Sequence, residues 1–225
     1  MKRIVVVLGW LLSGIALAQT ADMPERKREN LMVVVRESAG ANRADDALVP
    51  MGKVKVKRLG DREAELDLAY WHFIGDTHIR FVFDGPQMTM DATPQDLKDL
   101  GIKRVDDALA LALINLKRVS GLPAASPLEG GVMSVEGQLA DFNSSYFLDR
   151  AYWLSLLKNH PEGLVVGLPK RGALFYVPAA DAKAVDALKR SIADLYASSE
   201  RLRVSSALFL FKDGKWSVFQ PPHQQ

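Results

Sequence analysis

The stretch ALFLFKDGKWSVF, Ala207–Phe219, predicts a β-hairpin near the end of the chain. Its two apolar arms are separated by Asp213-Gly214, a dipeptide that favours a two-residue turn between antiparallel strands. Such a turn places large aromatic side chains opposite each other, which stabilises the pairing of the strands. The predicted pairs are Phe211 with Trp216 and Phe209 with Val218. The hairpin therefore indicates an antiparallel sheet joined by an aromatic seam.

Strand and helix patterns alternate in the region before this hairpin. Leu164–Leu168 and Ala173–Val177 are short apolar runs typical of strands, and Asp181–Ala197 places apolar residues along one face of a helix. Further upstream, Thr93-Pro94-Gln95-Asp96 combines an N-cap, an early proline and an acidic residue, which predicts the start of a helix. Ser120–Gly131, rich in Gly, Pro and Ser, is the predicted linker.

A longer helix is predicted from Val105 to Leu116, where apolar residues recur at helical spacing. Leu111 and Ile114 add a second apolar face to it. A helix that is apolar on more than one face is usually surrounded by other elements. We therefore expect neighbours to cover this helix on several sides.

The N-terminal part, Gly52–Asp84, alternates apolar and polar residues with a period of two, which predicts an antiparallel meander with one buried face. It begins with GKVKVKR, in which three lysines alternate with valines. Matching of charges favours a register that places these lysines opposite the acidic residues of the next strand. The predicted pairs are Lys55 with Asp67 and Lys57 with Glu65. The lysines are then half of a solvated hairpin face.

Together these patterns predict an α+β fold, an antiparallel β-meander followed by mixed helices and β-hairpins in one unit. Residues 1–18 are predicted to be a signal peptide, because a basic start and an apolar stretch precede the small residues Ala16-Leu17-Ala18. An uncleaved N-terminal anchor is the alternative. Residues 19–84 form the predicted meander region, and residues 85–225 form the α+β region.

Charge and cysteine content exclude several classes of function. Cleavage after Ala18 would leave 27 basic and 27 acidic residues, so the mature chain is not expected to bind nucleic acid through its overall charge. The chain has no cysteine, which excludes thiol catalysis, cysteine-ligated zinc and iron–sulfur centres. No motif predicts a bound cofactor, and no stable membrane insertion is expected once the signal peptide is removed.

Four motifs follow one another in the second part of the chain: FDGPQMTMDATPQDLKDLG at 83–101, GVMSVEG at 131–137, LVVGLPKRGALFYVP at 164–178 and LFLFKDGKWSVF at 208–219. In this order they resemble the motifs of the YtpQ-like family of bacterial proteins. The resemblance covers residues 83–220 and implies a shared fold, but it implies no activity, catalytic residue or partner. Members of that family look cytosolic, whereas this chain begins with a predicted export signal.

His72, Asp76 and His78 are the candidate metal ligands, because histidine and carboxylate suit zinc or copper. A two-residue turn at Gly75-Asp76 would pair His78 with Phe73 and place His72 on the opposite face. A three-residue loop from Gly75 would instead place both histidines on one face, though not directly opposed. No further ligand is evident nearby, so a bound metal is not predicted.

The segment GLPKRG, Gly167–Gly172, is similar to a phosphate-binding loop, with glycines at both ends and two cations inside. A phosphate loop leads into the N-terminus of a helix, whereas a predicted strand follows this one. A basic tip on a tight β-turn is therefore the favoured interpretation. Lys170 and Arg171 remain the candidate binding residues.

The densest polar cluster is the loop from Asp141 to Ser145, which makes Asp141, Ser144 and Ser145 the candidate catalytic residues. A catalytic serine needs a base, and His160 or another histidine could supply one only through the fold. No G-x-S-x-G motif surrounds either serine. Capping of a helix that runs to Asn159 explains the two serines without chemistry.

Two hypotheses of function follow from the sequence. The favoured one is an exported, non-catalytic binding or interaction module, because no catalytic motif is present; its partner would be an envelope protein or a small ligand. The alternative is a periplasmic hydrolase that uses the Asp141–Ser145 loop. The second requires a histidine within hydrogen-bond reach of Ser144 or Ser145.

Overall fold

The computed structural model describes residues 23–57 and 63–223, of which 56, 57 and 63 are described as backbone only. The predicted signal peptide lies outside these ranges. The fold confirms the predicted α+β class, since it combines helices with antiparallel sheets. None of the helices in the described part of the chain is long and apolar enough to cross a membrane.

The described residues up to Ser120 supply seven strands and two α-helices. A short 3₁₀ helix at Arg28–Asn30 precedes them. In chain order they are β1 (Leu31–Glu37), β2 (Val49–Pro50), β3 (Lys53–Lys57), β4 (Glu63–Asp67), β5 (Tyr70–His72), β6 (Thr77–Asp84), β7 (Thr89–Asp91), α1 (Pro94–Asp99) and α2 (Val105–Ser120).

The described residues after Ser120 supply six strands, two α-helices and three 3₁₀ helices. The 3₁₀ helices lie at Glu129–Gly131, Ala140–Leu148 and Glu200–Leu202. In chain order the other elements are β8 (Ala124–Pro127), β9 (Met133–Glu136), α3 (Arg150–Leu157), β10 (Leu164–Gly167), β11 (Phe175–Pro178), α4 (Ala182–Ser198), β12 (Leu208–Lys212) and β13 (Lys215–Gln220).

The first sheet is antiparallel and has the order β1-β6-β5-β2, with β7 also paired to β6. Six of the eight residues of the central strand β6 are buried, on both of its faces. The predicted single buried face is therefore wrong for this strand, because His78 and Val82 are buried on the face opposite to Ile79, Phe81 and Phe83. Pairing of β7 with β6 extends this sheet past the predicted boundary at residue 84.

The lysine-rich strand β3 pairs with β4 in a two-stranded sheet of its own, so the predicted continuous meander is interrupted there. Lys55 lies opposite Glu65 and Lys53 opposite Asp67. The predicted partners were wrong by a shift of two residues. A shift of two keeps every side chain on its predicted face, so the lysines still lie opposite acidic residues.

The second sheet has the order β13-β12-β10-β11-β9-β8. Its end hairpin has the predicted register, with Phe211 opposite Trp216 and Phe209 opposite Val218. The turn is local in sequence and its residues specify its type, which explains why the register could be predicted. The predicted linker Ser120–Gly131 contains β8, which pairs with β9 at the edge of this sheet.

The helix α2 packs against β1 and also contacts the 3₁₀ helices Arg28–Asn30 and Ala140–Leu148. Its buried apolar residues are Ala108, Ala112 and Leu116, whereas Ile114 is 64% exposed. The expectation that neighbours cover it on several sides is confirmed only in part, because three elements contact the helix but Ile114 of the expected second apolar face is exposed. The buried amide of Asn115 donates to the carbonyl oxygen of Leu31 at 2.9 Å, which fixes the helix to the edge strand.

The start of α1 is confirmed in detail. Thr93 accepts a hydrogen bond from the backbone N–H of Asp96, whose carboxylate accepts one from the backbone N–H of Thr93. This reciprocal capping box satisfies two backbone donors that the helix leaves free. Helix α4 also has an N-cap, since Asp181 accepts a bond from the backbone N–H of Ala184 at 3.0 Å. Its apolar face covers the second sheet.

The fully buried side chain of Phe147, in the 3₁₀ helix Ala140–Leu148, joins the two sheets. Its ring centroid lies 5.9 Å from that of Phe73, which follows β5 of the first sheet. It also lies 5.1 Å from Phe209 and 4.2 Å from Trp216, both in the second sheet. One hydrophobic core therefore runs through both sheets.

Replacement of Phe147 by alanine should lower the free energy of unfolding by about 3–5 kcal/mol, because it removes a buried ring and leaves a cavity. Urea denaturation followed by tryptophan fluorescence measures the loss. Phe219→Ala is the matched control, since Phe219 is 41% exposed and should cost less than about 1 kcal/mol. Equal losses for the two variants would contradict the role assigned to Phe147.

Candidate functional site

A cleft of about 700 Å³ opens between the first sheet and the region around the β10–β11 turn. Part of its wall comes from Val34 and Arg36 of β1 and from the segment 84–89 that joins β6 to β7. The rest comes from residues 139–142, at the start of the long 3₁₀ helix, and from Arg171. The predicted binding residue Arg171 and the predicted catalytic residue Asp141 therefore line the same cleft.

Gly172 allows the β10–β11 turn and the start of the 3₁₀ helix Ala140–Leu148 to approach each other. Its φ is +76°, and a Cβ atom built there would lie 2.7 Å from the backbone oxygen of Ala140. Any other residue would combine a strained backbone with a steric clash. The turn is also anchored by its backbone, since Arg171 N–H donates to the carbonyl oxygen of Leu202 at 2.8 Å. The glycine thus brings Arg171 to the start of the helix that carries Asp141.

Arg36 occupies an unusual position near the end of an apolar strand. It is half-buried and lies opposite His78 in the pairing of β1 with β6. Its pKa is lowered to about 10, first by burial and then by the charges of Arg171 and Arg80. Asp91 acts in the opposite direction, to a smaller extent. The positive charge of Arg36 is therefore poorly compensated by its surroundings.

Neither guanidinium of the cleft has a carboxylate partner in the described part of the chain. The ion pairs found there, with N–O distances up to 4.0 Å, include neither Arg36 nor Arg171. Arg36 donates one hydrogen bond, to the backbone oxygen of Val35 at 2.8 Å. Two cations therefore face a cleft in which their remaining N–H groups can meet a ligand.

Arg80 and His78 form a fixed network beside Arg36. Arg80 Nε donates to His78 Nε2 at 2.8 Å, and the guanidinium lies 4.5 Å above the ring of Tyr70. Because arginine can only donate, Nε2 of His78 is the acceptor of this bond. The proton of the neutral ring is therefore on Nδ1, which lies 3.0 Å from Ser38 Oγ. Burial and the neighbouring cations lower the pKa of His78 to about 3, so its ring is neutral.

The predicted metal ligands do not form a metal site. His72 lies directly opposite His78, so both predicted registers were wrong, although the second had the histidines on one face. The register follows from a bond between Phe73 N–H and the Thr77 carbonyl oxygen at 2.9 Å, which closes a loop over 74–76. Within residues 23–57 and 63–223, no three His, Cys, Asp or Glu side chains could hold a metal ion.

Asp76 belongs to a different part of the fold. Its buried carboxylate accepts a hydrogen bond from Ser205 and lines a separate cavity of about 400 Å³ together with Glu37 and Tyr196. Burial raises the pKa of Asp76 to about 6, and the bond from Ser205 opposes that rise. Asp76 is therefore held by the second half of the chain and not by the two histidines.

The predicted catalytic loop supplies no serine–base pair. Ser144 and Ser145 are buried in the long 3₁₀ helix, and neither hydroxyl has a hydrogen-bond partner among the described residues. His160 lies at the end of α3 and contacts neither serine through a hydrogen bond. The serines do not cap a helix either, because α3 begins only at Arg150 after Asp149, so that prediction was wrong.

Lys170 does not line the cleft, and its backbone instead pairs with Arg203 in an isolated antiparallel bridge. The segment Gly167–Gly172 ends in a tight turn before β11. This agrees with the favoured interpretation as a β-turn, because a strand and not a helix follows it. Of the two candidate cations, only Arg171 is therefore placed to meet a ligand in this cleft.

Sequence reasoning missed Arg36, Arg80 and Asp84. Arg36 and Arg80 are charged residues within the apolar runs of β1 and β6. A charge at a position where the neighbouring residues are buried is costly unless it is paired or functional. This exception to the apolar pattern is a signal in the sequence that could have identified Arg36 and Arg80.

Comparisons with known proteins find no match: no family model matches the chain, and neither curated proteins nor solved structures do. The resemblance to the YtpQ-like family therefore rests on the four sequence motifs and stays a prediction.

Replacement of Gly172 by alanine should destabilise the protein more than Gly101→Ala. Both residues have a positive φ, +76° and +73°, but no atom lies within 4 Å of a Cβ built at Gly101. Each variant should lose about 1 kcal/mol to backbone strain, and Gly172→Ala should lose at least about 1 kcal/mol more to the clash with Ala140. Urea denaturation of both variants measures the difference. Equal losses would show that the two segments do not make this contact.

Stability should depend on pH through His78. Its pKa in the folded state, about 3, is below the unfolded value of 6.5, so the unfolded chain takes up a proton first on acidification. The stability that the neutral ring contributes is complete above pH 6.5 and is lost progressively as the pH falls towards 3. At pH 5 the expected loss is about 2 kcal/mol relative to neutral pH.

The matched variant is His78→Gln, whose neutral amide can accept from Arg80 and donate to Ser38. The opposing effect of Asp76, whose pKa is raised, is present in both proteins and cancels in the comparison. Free energies of unfolding at pH 7.5 and pH 5 should therefore fall more for the wild type than for the variant. An equal fall in the two proteins would show that His78 is not held neutral.

Proposed function

We propose that the protein is exported and acts by binding, and that its cleft holds a small anionic ligand between Arg36 and Arg171. The observation that supports this most strongly is the half-buried guanidinium of Arg36, which has no ion pair among the described residues. Its lowered pKa has the same cause, since burial and two neighbouring arginines disfavour its charge.

An anion in the cleft would remove the electrostatic cost of this arrangement. A charge that is taken partly out of water costs free energy unless an opposite charge or several hydrogen bonds compensate it. Arginine is well suited to the task, because its planar guanidinium binds carboxylate or phosphate oxygens through two parallel hydrogen bonds. The fold therefore supplies Arg36 and Arg171 in a form that a carboxylate or a phosphate would stabilise.

The size of the cleft favours a small ligand. Its volume of about 700 Å³ lies within the range of small-molecule sites. The predicted hydrolase is not supported, because Ser144 and Ser145 have no hydrogen-bond partner within residues 23–57 and 63–223 and neither lines this cleft. Binding without catalysis is thus the function that the arrangement of side chains supports best.

Isothermal titration calorimetry with N-acetyl-L-leucine and with inorganic phosphate tests this proposal. We expect saturable binding of at least one of these anions to the chain that begins after Ala18. Arg36→Gln and Arg171→Gln should each weaken that binding by at least about tenfold, because each removes a charge-assisted hydrogen bond. Since Arg171 is exposed, its variant should fold normally even if the Arg36 variant does not.

The control is Arg190→Gln, which makes the same change of charge at an exposed position of α4 outside the cleft. It should leave the affinity for the anion unchanged. The proposal fails if the wild type binds neither these anions nor a free amino acid, whose carboxylate would occupy the same place, or if all three variants bind as the wild type does.

A further inference from the structure

Charges of both signs line the cleft without neutralising each other. Besides Arg36 and Arg171, its wall contains the carboxylates of Asp84 and Asp141. In the described part of the chain, none of these four side chains takes part in an ion pair. An arginine and an aspartate within reach of each other would normally pair, so the fold holds them apart.

The backbone explains this separation. Arg36 is fixed by the pairing of β1 with β6, and Asp84 by its pairing with Thr89 of β7. Arg171 lies in the turn in which Gly172 closely approaches the backbone of Ala140. Asp141 follows Ala140 in the 3₁₀ helix. Each charge is therefore carried by an element whose position other contacts determine.

Asp84 shows the same lack of compensation as Arg36. Its carboxyl is half-buried, and burial raises its pKa, with a backbone bond from Gly85 opposing the rise. A carboxylate in such surroundings gains from a cation that approaches it. The cleft thus offers an uncompensated negative group as well as an uncompensated positive one.

Apolar side chains complete the lining. Val34 and Phe142 are buried in the wall. Leu139 and Met88 also line the cleft and are 40% and 42% exposed. Because both side chains line the same cleft, an apolar group in it could contact both and remove their surface from water.

On the basis of the proposed function, we infer that the ligand is amphoteric: a molecule of amino-acid or short-peptide class, with a carboxylate, an ammonium group and an apolar side chain. Its carboxylate meets Arg36 and Arg171, and its ammonium group meets Asp84 and Asp141. Its apolar part lies against Leu139 and Met88. A ligand that is only anionic would leave both aspartates unpaired and would be repelled by them.

Three leucine derivatives of nearly equal size test this inference by calorimetry. L-Leucine has both charges, N-acetyl-L-leucine lacks the ammonium group, and L-leucinamide lacks the carboxylate. We expect L-leucine to bind at least about tenfold more tightly than either derivative, because each derivative loses one charge-assisted contact. Leucyl-leucine, measured in parallel, separates the two charges further, and tighter binding of it would assign the site to short peptides.

Variants of the aspartates make the test specific. Asp84→Asn and Asp141→Asn should weaken the binding of L-leucine by at least about tenfold. Neither variant should weaken the binding of N-acetyl-L-leucine, because each removes a negative charge that repels this anion. Asp194→Asn, at an exposed position of α4 outside the cleft, is the control and should change neither affinity. Since Asp141 is exposed, its variant should fold even if the Asp84 variant does not.

The outcomes separate this inference from the proposal on which it rests. If N-acetyl-L-leucine binds as tightly as or more tightly than L-leucine, the amphoteric ligand is excluded and the anion site remains. If neither amphoteric probe nor any anion binds, both are excluded. If L-leucine binds but the aspartate variants bind it equally well, the assignment of the ammonium group to Asp84 and Asp141 is wrong.

Discussion

The contact of Phe147 with both sheets is the interaction on which the rest of the structure depends. This ring packs against Phe73 on one side and against Phe209 and Trp216 on the other. It also fixes the 3₁₀ helix Ala140–Leu148, whose first residues form part of the cleft. The C-terminal part of this helix therefore joins the two sheets, and its N-terminal part lines the candidate site. The chain has no cysteine, so no disulfide joins the sheets and this packing holds them together.

Strand β1 shows how one short segment serves both the core and the site. Successive side chains of a strand point to opposite faces, so Val33 and Val35 lie on one side while Val34 and Arg36 lie on the other. The first pair belongs to the shared core, and so does Val34 of the second pair. The second pair lines the cleft. A polar site is thus built directly on the back of an apolar layer, and Arg36 is held by the strand that stabilises the sheet.

Features that depend on neighbouring residues could be predicted from the sequence. The Asp213-Gly214 turn fixed its hairpin, and Thr93 with Asp96 formed the expected capping box. Features that depend on distant contacts could not. The register of the two histidines depended on a loop whose length the sequence left open.

The candidate site was only partly accessible to sequence reasoning for the same reason. Asp141 and Arg171 were both singled out, but for separate functions, because nothing local shows that they share a cleft. Their proximity depends on Gly172, whose missing side chain allows a backbone contact across two distant segments. The positions of the two arginines of the cleft also have a thermodynamic consequence. Because Arg36 and Arg171 belong to different sheets or their loops, a ligand held by both would act as a reversible cross-link between them, so occupancy and resistance to unfolding would be coupled.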